Sequence, residues 1–262
     1  MTSDLNHALE QIDAARRKGR TAALLFDYDG TLVPIVPHPS LAMLPSEARS
    51  VLERLAGLPR IALGFLSGRK LDDLKAMVGL RDVYYAGTGG LELDLRGTVL
   101  TPPEALSGRN VIEKLLQPLD EIIAFFHGAW LENKGLGIAV HYGAVAADLV
   151  PPLQREITQL LSPLRSRLRV KNGPIALEIT PNLGWSKATA LRMIVKHISP
   201  DAFPLFAGDA DNDGDALEAA MSFGGLALWI GAEPSPITPL HLENPSRLVA
   251  FLSAIGMASR AP

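Results

Sequence analysis

Three apolar runs of strand length, beginning at Ala22, Ile61 and Pro204, each stop abruptly at polar residues capable of chemistry, and this pattern constrains the fold more than any other feature. The first run ends in Asp27-Tyr28-Asp29-Gly30-Thr31, two carboxylates one residue apart followed by a glycine and a hydroxyl. The second ends in Ser67-Gly68-Arg69, and the third in Gly208-Asp209-Ala210-Asp211-Asn212-Asp213. Continuous apolar runs read as strands buried on both faces. Helical stretches separate them, so the sequence predicts an α/β protein with a doubly wound, Rossmann-like parallel sheet. Ligands of such sheets bind beyond the carboxyl ends of the strands, where the three clusters would converge.

Along the chain, residues 3–18 carry Leu5, Ala8, Leu9, Ile12 and Ala15 at helical spacing, with Ser3 or Asp4 as the cap. A loop through Pro34, Pro37, Pro39 and Pro45 follows the first run, because proline lacks a donor and fixes φ. Helices are expected at about 46–57 and 70–78, then a strand at 83–86, the glycine-rich 87–90 and a hairpin turning at Arg96-Gly97. The order then changes to a helix at 109–126, strands at 129–132 and 136–142, a helix at 145–164, and strands at 168–171 and 175–180. This α-β-β-α-β-β order reads as an inserted α+β module at 106–184, which leaves 1–105 and 185–262 as the core. The first pattern resumes with a helix at 186–197, the third run, a helix at 213–220, a strand at 225–230 and a helix at 246–255, with Pro234, Pro236 and Pro239 in a surface loop.

Composition narrows the function classes. A formal charge of −3 argues against a dedicated nucleic-acid binder, which needs clustered cations to displace counterions. The absence of cysteine excludes disulfides, thiolate zinc sites and a cysteine nucleophile. No stretch reaches the roughly 20 apolar residues of a membrane span, and no basic-then-apolar leader opens the chain. A soluble, cytoplasmic protein with small-molecule partners is expected, as a monomer or weak oligomer.

Taken singly, the polar clusters are ordinary. Asp27 and Asp29 would serve a turn closed by Gly30, Asp209 and Asp213 a helix cap, and Lys187 a solvated helix start. Together, crowded carboxylates call for a divalent cation or a shared proton. Hard oxygen donors suit Mg²⁺, which keeps several waters and prefers one or two carboxylates plus phosphate oxygens. Thr31, Ser67 and Lys187, with backbone donors around Gly30 and Gly68, can then cradle a phosphate, and a carboxylate nucleophile can split phosphoryl transfer into two steps.

The ordered set Asp27-Tyr28-Asp29-Gly30-Thr31, Ser67-Gly68-Arg69, Lys187 and Gly208-Asp209 through Asp213 resembles the four motifs of the haloacid-dehalogenase-like phosphatases. The resemblance implies that Asp27 attacks phosphorus while Asp29 protonates the leaving oxygen and later activates water. It implies that Thr31, Ser67, Gly68, Arg69 and Lys187 hold the phosphate. Mg²⁺ would be held by Asp27, Asp209, Asp213 and the carbonyl of Asp29. The insertion at 106–184 is similar to that superfamily's cap.

Within the insertion, Glu132-Asn133-Lys134-Gly135, His141-Tyr142, Lys171-Asn172-Gly173 and Glu178-Ile179-Thr180-Pro181 resemble the cap of trehalose-6-phosphate phosphatases. The implied substrate is trehalose 6-phosphate, supplied by a trehalose-6-phosphate synthase upstream. Glu132, Lys134, His141, Lys171, Asn172 and Glu178 become its candidate ligands, since such groups hydrogen-bond several hydroxyls at once. For His141 a structural hydrogen bond is the competing expectation, as hinge packing is for Trp130 and Trp185. The chain departs from that family at Gly89, Gly143 and Ala210, where it usually has His, Arg and Asp. Those departures keep other glycosyl phosphates in view, among them sucrose 6-phosphate and mannosyl-3-phosphoglycerate. A binding module without turnover would be expected to have lost one of Asp27, Asp29, Lys187 or Asp209; all four are present.

Overall fold

The opening amphipathic stretch folds as helix α1 (Ser3–Arg17) and buries Leu5, Ala8, Ile12 and Ala15. It begins behind Thr2, whose backbone is already extended, and not behind a Ser3 or Asp4 cap; no side chain caps it. Strand β1 (Ala22–Phe26) is buried at every position. Helix α2 (Ser46–Ala56), strand β2 (Ile61–Leu66) and helix α3 (Leu71–Val78) follow. Strand β3 (Tyr84–Gly87) then pairs antiparallel with β4 (Glu92–Leu95), which pairs with β5 (Thr98–Leu100). Arg96 and Gly97 close that hairpin with φ of 57° and 103°, the left-handed pair that a two-residue turn demands.

Helix α4 (Pro103–Ile123) starts earlier than the predicted 109, and ends before 126. Pro102 caps it and Pro103 opens it, since proline is favourable in a first turn, where its missing N–H has no partner to lose. Strands β6 (Trp130–Asn133) and β7 (Ile138–His141), helix α5 (Val150–Leu161), and strands β8 (Leu168–Asn172) and β9 (Ala176–Pro181) complete the α-β-β-α-β-β segment. Helix α6 (Lys187–Ile198), strand β10 (Phe203–Gly208), helix α7 (Gly214–Ser222), strand β11 (Leu226–Ile230), strand β12 (His241–Leu242) and helix α8 (Pro245–Ala258) return to alternation. The two-residue β12 falls where the sequence suggested only loop.

This computed structural model describes residues 2–36, 38–173, 175–235, 237–238 and 240–258, with side chains to 255; the expected loop positions Pro37, Pro236 and Pro239 lie outside them. Two compact units emerge. One runs to Leu100 and resumes at Trp185, and the other is Thr101–Gly184. The expected junction at 105/106 falls inside the first turn of α4.

In the first unit the described residues form an eight-stranded sheet in the order β12-β11-β10-β1-β2-β3-β4-β5, parallel from β12 to β3. One face is covered through Ile12, Leu52, Leu74 and Leu252, the other through Leu191, Ile194 and Leu217. Trp185 packs against the second of these cores. In the second unit the sheet order is β6-β7-β9-β8, antiparallel throughout. Leu115, Leu119, Leu153 and Ile157 of its helices cover the face carrying Ile138, Val140, Leu177 and Ile179. Among the described residues no helix is long and apolar enough to cross a membrane.

Candidate active site

Strand order decides what meets at the carboxyl end of the large sheet. Because β1 lies between β10 and β2, Asp27 stands between the polar residues that end those two strands. Its backbone N–H continues the ladder to the Ala207 carbonyl at 2.9 Å, which extends the register one residue past the strand. The residue is 5% exposed.

Lys187, the first residue of α6, donates to Asp27 Oδ1 at 2.6 Å and to Asp213 Oδ1 at 2.7 Å. Asp213 is fully buried, and its Oδ2 accepts from the Asp209 and Ala210 amides at 3.2 and 3.3 Å. Asp209 receives the Thr31 hydroxyl at 2.9 Å. Carboxylate oxygens of Asp27, Asp209 and Asp213 lie within 4.8 Å of one another. Gly30 permits this approach. Its φ is +88°, and a Cβ there would stand 2.0 Å from Asp209 Oδ2.

Three carboxylates therefore face one ammonium. Burial pushes Asp27 well above the usual carboxylate range, against the pull of Lys187 and with further push from Asp213 and Asp209. Burial and the Asp213 charge likewise raise Asp209 to about 6. Burial works against the Lys187 ammonium, but Asp213 and Asp27 outweigh it and raise Lys187 above its ordinary value. The excess of negative charge and the hard oxygen donors fit a divalent cation such as Mg²⁺, which Asp27, Asp209 and Asp213 would hold.

The other expected residues take different positions. The Asp29 carboxylate is not in this trio; Arg69 grips it at 2.6 and 2.7 Å. Ser67 Oγ accepts the Arg69 amide at 3.1 Å, which leaves its hydroxyl proton to point elsewhere, and Gly68 makes the bend between them. Of the five groups expected to hold phosphate, Thr31 and Lys187 thus touch the acidic trio, and the Arg69 fork is occupied by a carboxylate. No local signal in the sequence paired residues 29 and 69.

The second unit, taken by itself, gathers most of its expected residues on the sheet face away from its helices. The cross-strand row Glu132, Ala139, Glu178 and Lys171 fixes that face. Lys134, 7% exposed, donates to Glu178 at 2.7 Å and lies 4.0 Å from Glu132. His141 donates to Glu132 at 2.8 Å and stacks on Trp130, with centroids 3.8 Å apart. The structural hydrogen bond expected of His141 is present, and Trp130 is a stacking partner that spacing did not reveal. Asn172, one residue on from Lys171, belongs to the opposite alternation and is exposed.

Comparison with known proteins gives the relatives of this arrangement. The family model described as trehalose-phosphatase matches residues 25–235. The trehalose-phosphate phosphatase of Mycobacterium tuberculosis is 31% identical over 246 residues, which cover 92% of this chain and 59% of that protein. Trehalose-phosphate phosphatase B of Arabidopsis thaliana is 28% identical over 270 residues, covering 97% and 70%. The chain thus spans about three fifths of the length of the mycobacterial relative. Among solved structures, the C-terminal domain of C. albicans trehalose-6-phosphate phosphatase superposes with a TM-score of 0.83 at 20% identity, covering 95% of this chain and 97% of that one, a likeness of fold.

Proposed function

We propose, from the premise that this chain belongs to the trehalose-phosphatase family of haloacid-dehalogenase-like proteins, that it is a Mg²⁺-dependent phosphatase releasing trehalose and phosphate from trehalose 6-phosphate. The observation that carries the reading is the meeting of Asp27, Asp209, Asp213 and Lys187 at neighbouring strand ends. In the first step an Asp27 oxygen attacks phosphorus, the bond from phosphorus to the sugar oxygen breaks, and Asp29 gives its proton to that oxygen. In the second, water attacks the aspartyl phosphate, Asp29 takes the proton, and Asp27 is restored as inorganic phosphate leaves.

Asp27, Asp209 and Asp213 would hold Mg²⁺, which would supply neutralisation of the phosphoryl charge. Lys187 adds a fixed cation on Asp27 and Ser67 a hydroxyl donor, while Thr31 gives its hydroxyl proton to Asp209. Sugar recognition is assigned to Glu132, Lys134, Glu178 and Lys171 of the second unit, a polar row suited to many hydroxyls. On this reading the chain acts in the cytoplasm, downstream of an enzyme that makes the sugar phosphate.

A second reading keeps the chemistry and changes the sugar, to sucrose 6-phosphate or mannosyl-3-phosphoglycerate. It is favoured by Gly143, exposed where the family usually has arginine, because glycine cannot replace a planar multi-donor contact. The test is phosphate release from trehalose 6-phosphate, sucrose 6-phosphate, glucose 6-phosphate and mannosyl-3-phosphoglycerate, with Mg²⁺ and with EDTA. Mg²⁺-dependent preference for trehalose 6-phosphate is expected. Preference for another ester moves the substrate, and no release from any of them overturns the reading.

A further inference from the structure

Arg69 follows Ser67 by two residues, a position from which a guanidinium would be expected to meet phosphate oxygens. Its fork is spent on a protein carboxylate. Nε donates to Asp29 Oδ2 at 2.7 Å and Nη2 to Asp29 Oδ1 at 2.6 Å, while Nη2 also donates to the Pro39 carbonyl at 2.9 Å. The guanidinium carbon lies 5.4 Å from the centroid of the Tyr28 ring. That ring is fully buried and pinned through its hydroxyl to the Ala42 carbonyl at 2.7 Å. The arginine backbone is held too, its N–H by Ser67 Oγ at 3.1 Å and its carbonyl by the Thr88 amide at 2.6 Å.

A residue so constrained is pre-organised for one geometry. Two parallel hydrogen bonds fix the plane of the Asp29 carboxylate as well as its distance, which a single ammonium donor could not do. Asp29 needs such help. Its side chain is 38% exposed, in contrast to the buried Asp27.

From this we infer that Arg69 is a positioning residue that aims the Asp29 carboxylate at the leaving-group oxygen, and not a phosphate ligand. The inference rests on the phosphatase reading above, in which Asp29 moves the proton. Through the Pro39 carbonyl the same guanidinium ties Asp29 to the loop after the first motif. Holding Asp29 in one orientation serves both half-reactions, since the proton leaves and returns at the same carboxylate.

The test is a double-variant cycle on the full chain with Mg²⁺ and its best ester, comparing wild type, Arg69→Met, Asp29→Asn and the pair. Inhibition by inorganic phosphate is measured in parallel. Arg69→Met should lower kcat about tenfold to a hundredfold, the scale of a misplaced catalytic group. KM and the phosphate inhibition constant should stay within about twofold, and the pair should be no slower than Asp29→Asn alone, as for groups acting as one unit. Should Arg69→Met fail to fold, Arg69→Lys keeps the charge and loses the fork, and the same pattern is expected of it. Multiplying losses in the pair, or weaker phosphate inhibition with kcat unchanged, would overturn the inference alone. A wild type that releases no phosphate from any ester would overturn the phosphatase reading and this inference with it.

Discussion

The Lys187 ammonium stands 2.6 Å from Asp27 Oδ1, joining residues 160 positions apart in the chain. Its second contact, at 2.7 Å, is Asp213, so one cation serves two buried carboxylates, while Asp209 receives the neutral Thr31 hydroxyl. This imbalance underlies most of what can be tested.

Asp27→Asn should reduce phosphate release to background, because the amide is no nucleophile. It should also leave the melting temperature unchanged or higher, since a neutral group replaces a carboxylate that burial already pushes toward protonation. Retained turnover would remove Asp27 from the nucleophile's role.

Lys187→Met removes the counter-charge from Asp27 and Asp213 and leaves two buried carboxylates uncompensated. Breaking a buried pair from one side costs roughly 3–5 kcal/mol. Denaturant unfolding in EDTA should show a loss of that order, partly restored by Mg²⁺.

Gly30→Ala puts a methyl 2.0 Å from Asp209 Oδ2 at a φ of +88°. Asp209 must move. The Mg²⁺ concentration for half-maximal activity should rise at least about tenfold, as when the support of a metal ligand is disturbed. An unchanged Mg²⁺ titration would separate Asp209 from the metal.

Burial and the Asp213 charge push Asp209 up to about 6, above its ordinary value. The folded state then binds this proton more tightly than the unfolded state between about pH 4 and 6, so its penalty is absent below that window and complete above it. In EDTA, Asp209→Asn should therefore raise stability more at pH 7.5 than at pH 4.5. Protons compete with Mg²⁺ for the same oxygens, so the rise in wild-type melting temperature with Mg²⁺ should shrink as pH falls through 6. Thermal melts across pH, with and without Mg²⁺, check both.

Lys134→Met in the second unit breaks the 2.7 Å bond to Glu178. KM for the sugar phosphate should rise about tenfold or more, with little change for p-nitrophenyl phosphate, which carries no sugar. Equal losses on the two esters would argue against a role in sugar recognition.

Much of the core was legible because its strands are buried on both faces. At β1, β2 and β10 an unbroken apolar run ends where side chains must meet solvent or ligand. The start of α4 was not legible, because Pro102-Pro103 signals a break and a helix start equally well. Strand β12 was missed because two residues carry no periodicity. In the second unit, the stacking of Trp130 on His141 was not legible, because it depends on the β6–β7 register.

The sequence alone determined which chemical groups end each strand and in what order, because composition and periodicity along a strand are local properties. Only the tertiary structure decided which groups meet. The order β10-β1-β2 sets Asp27 between the ends of its neighbours, Lys187 arrives on α6 to bridge Asp27 and Asp213, and the Arg69 fork closes on Asp29. Partnership of this kind depends on strand order and approach distance, which no local spacing encodes.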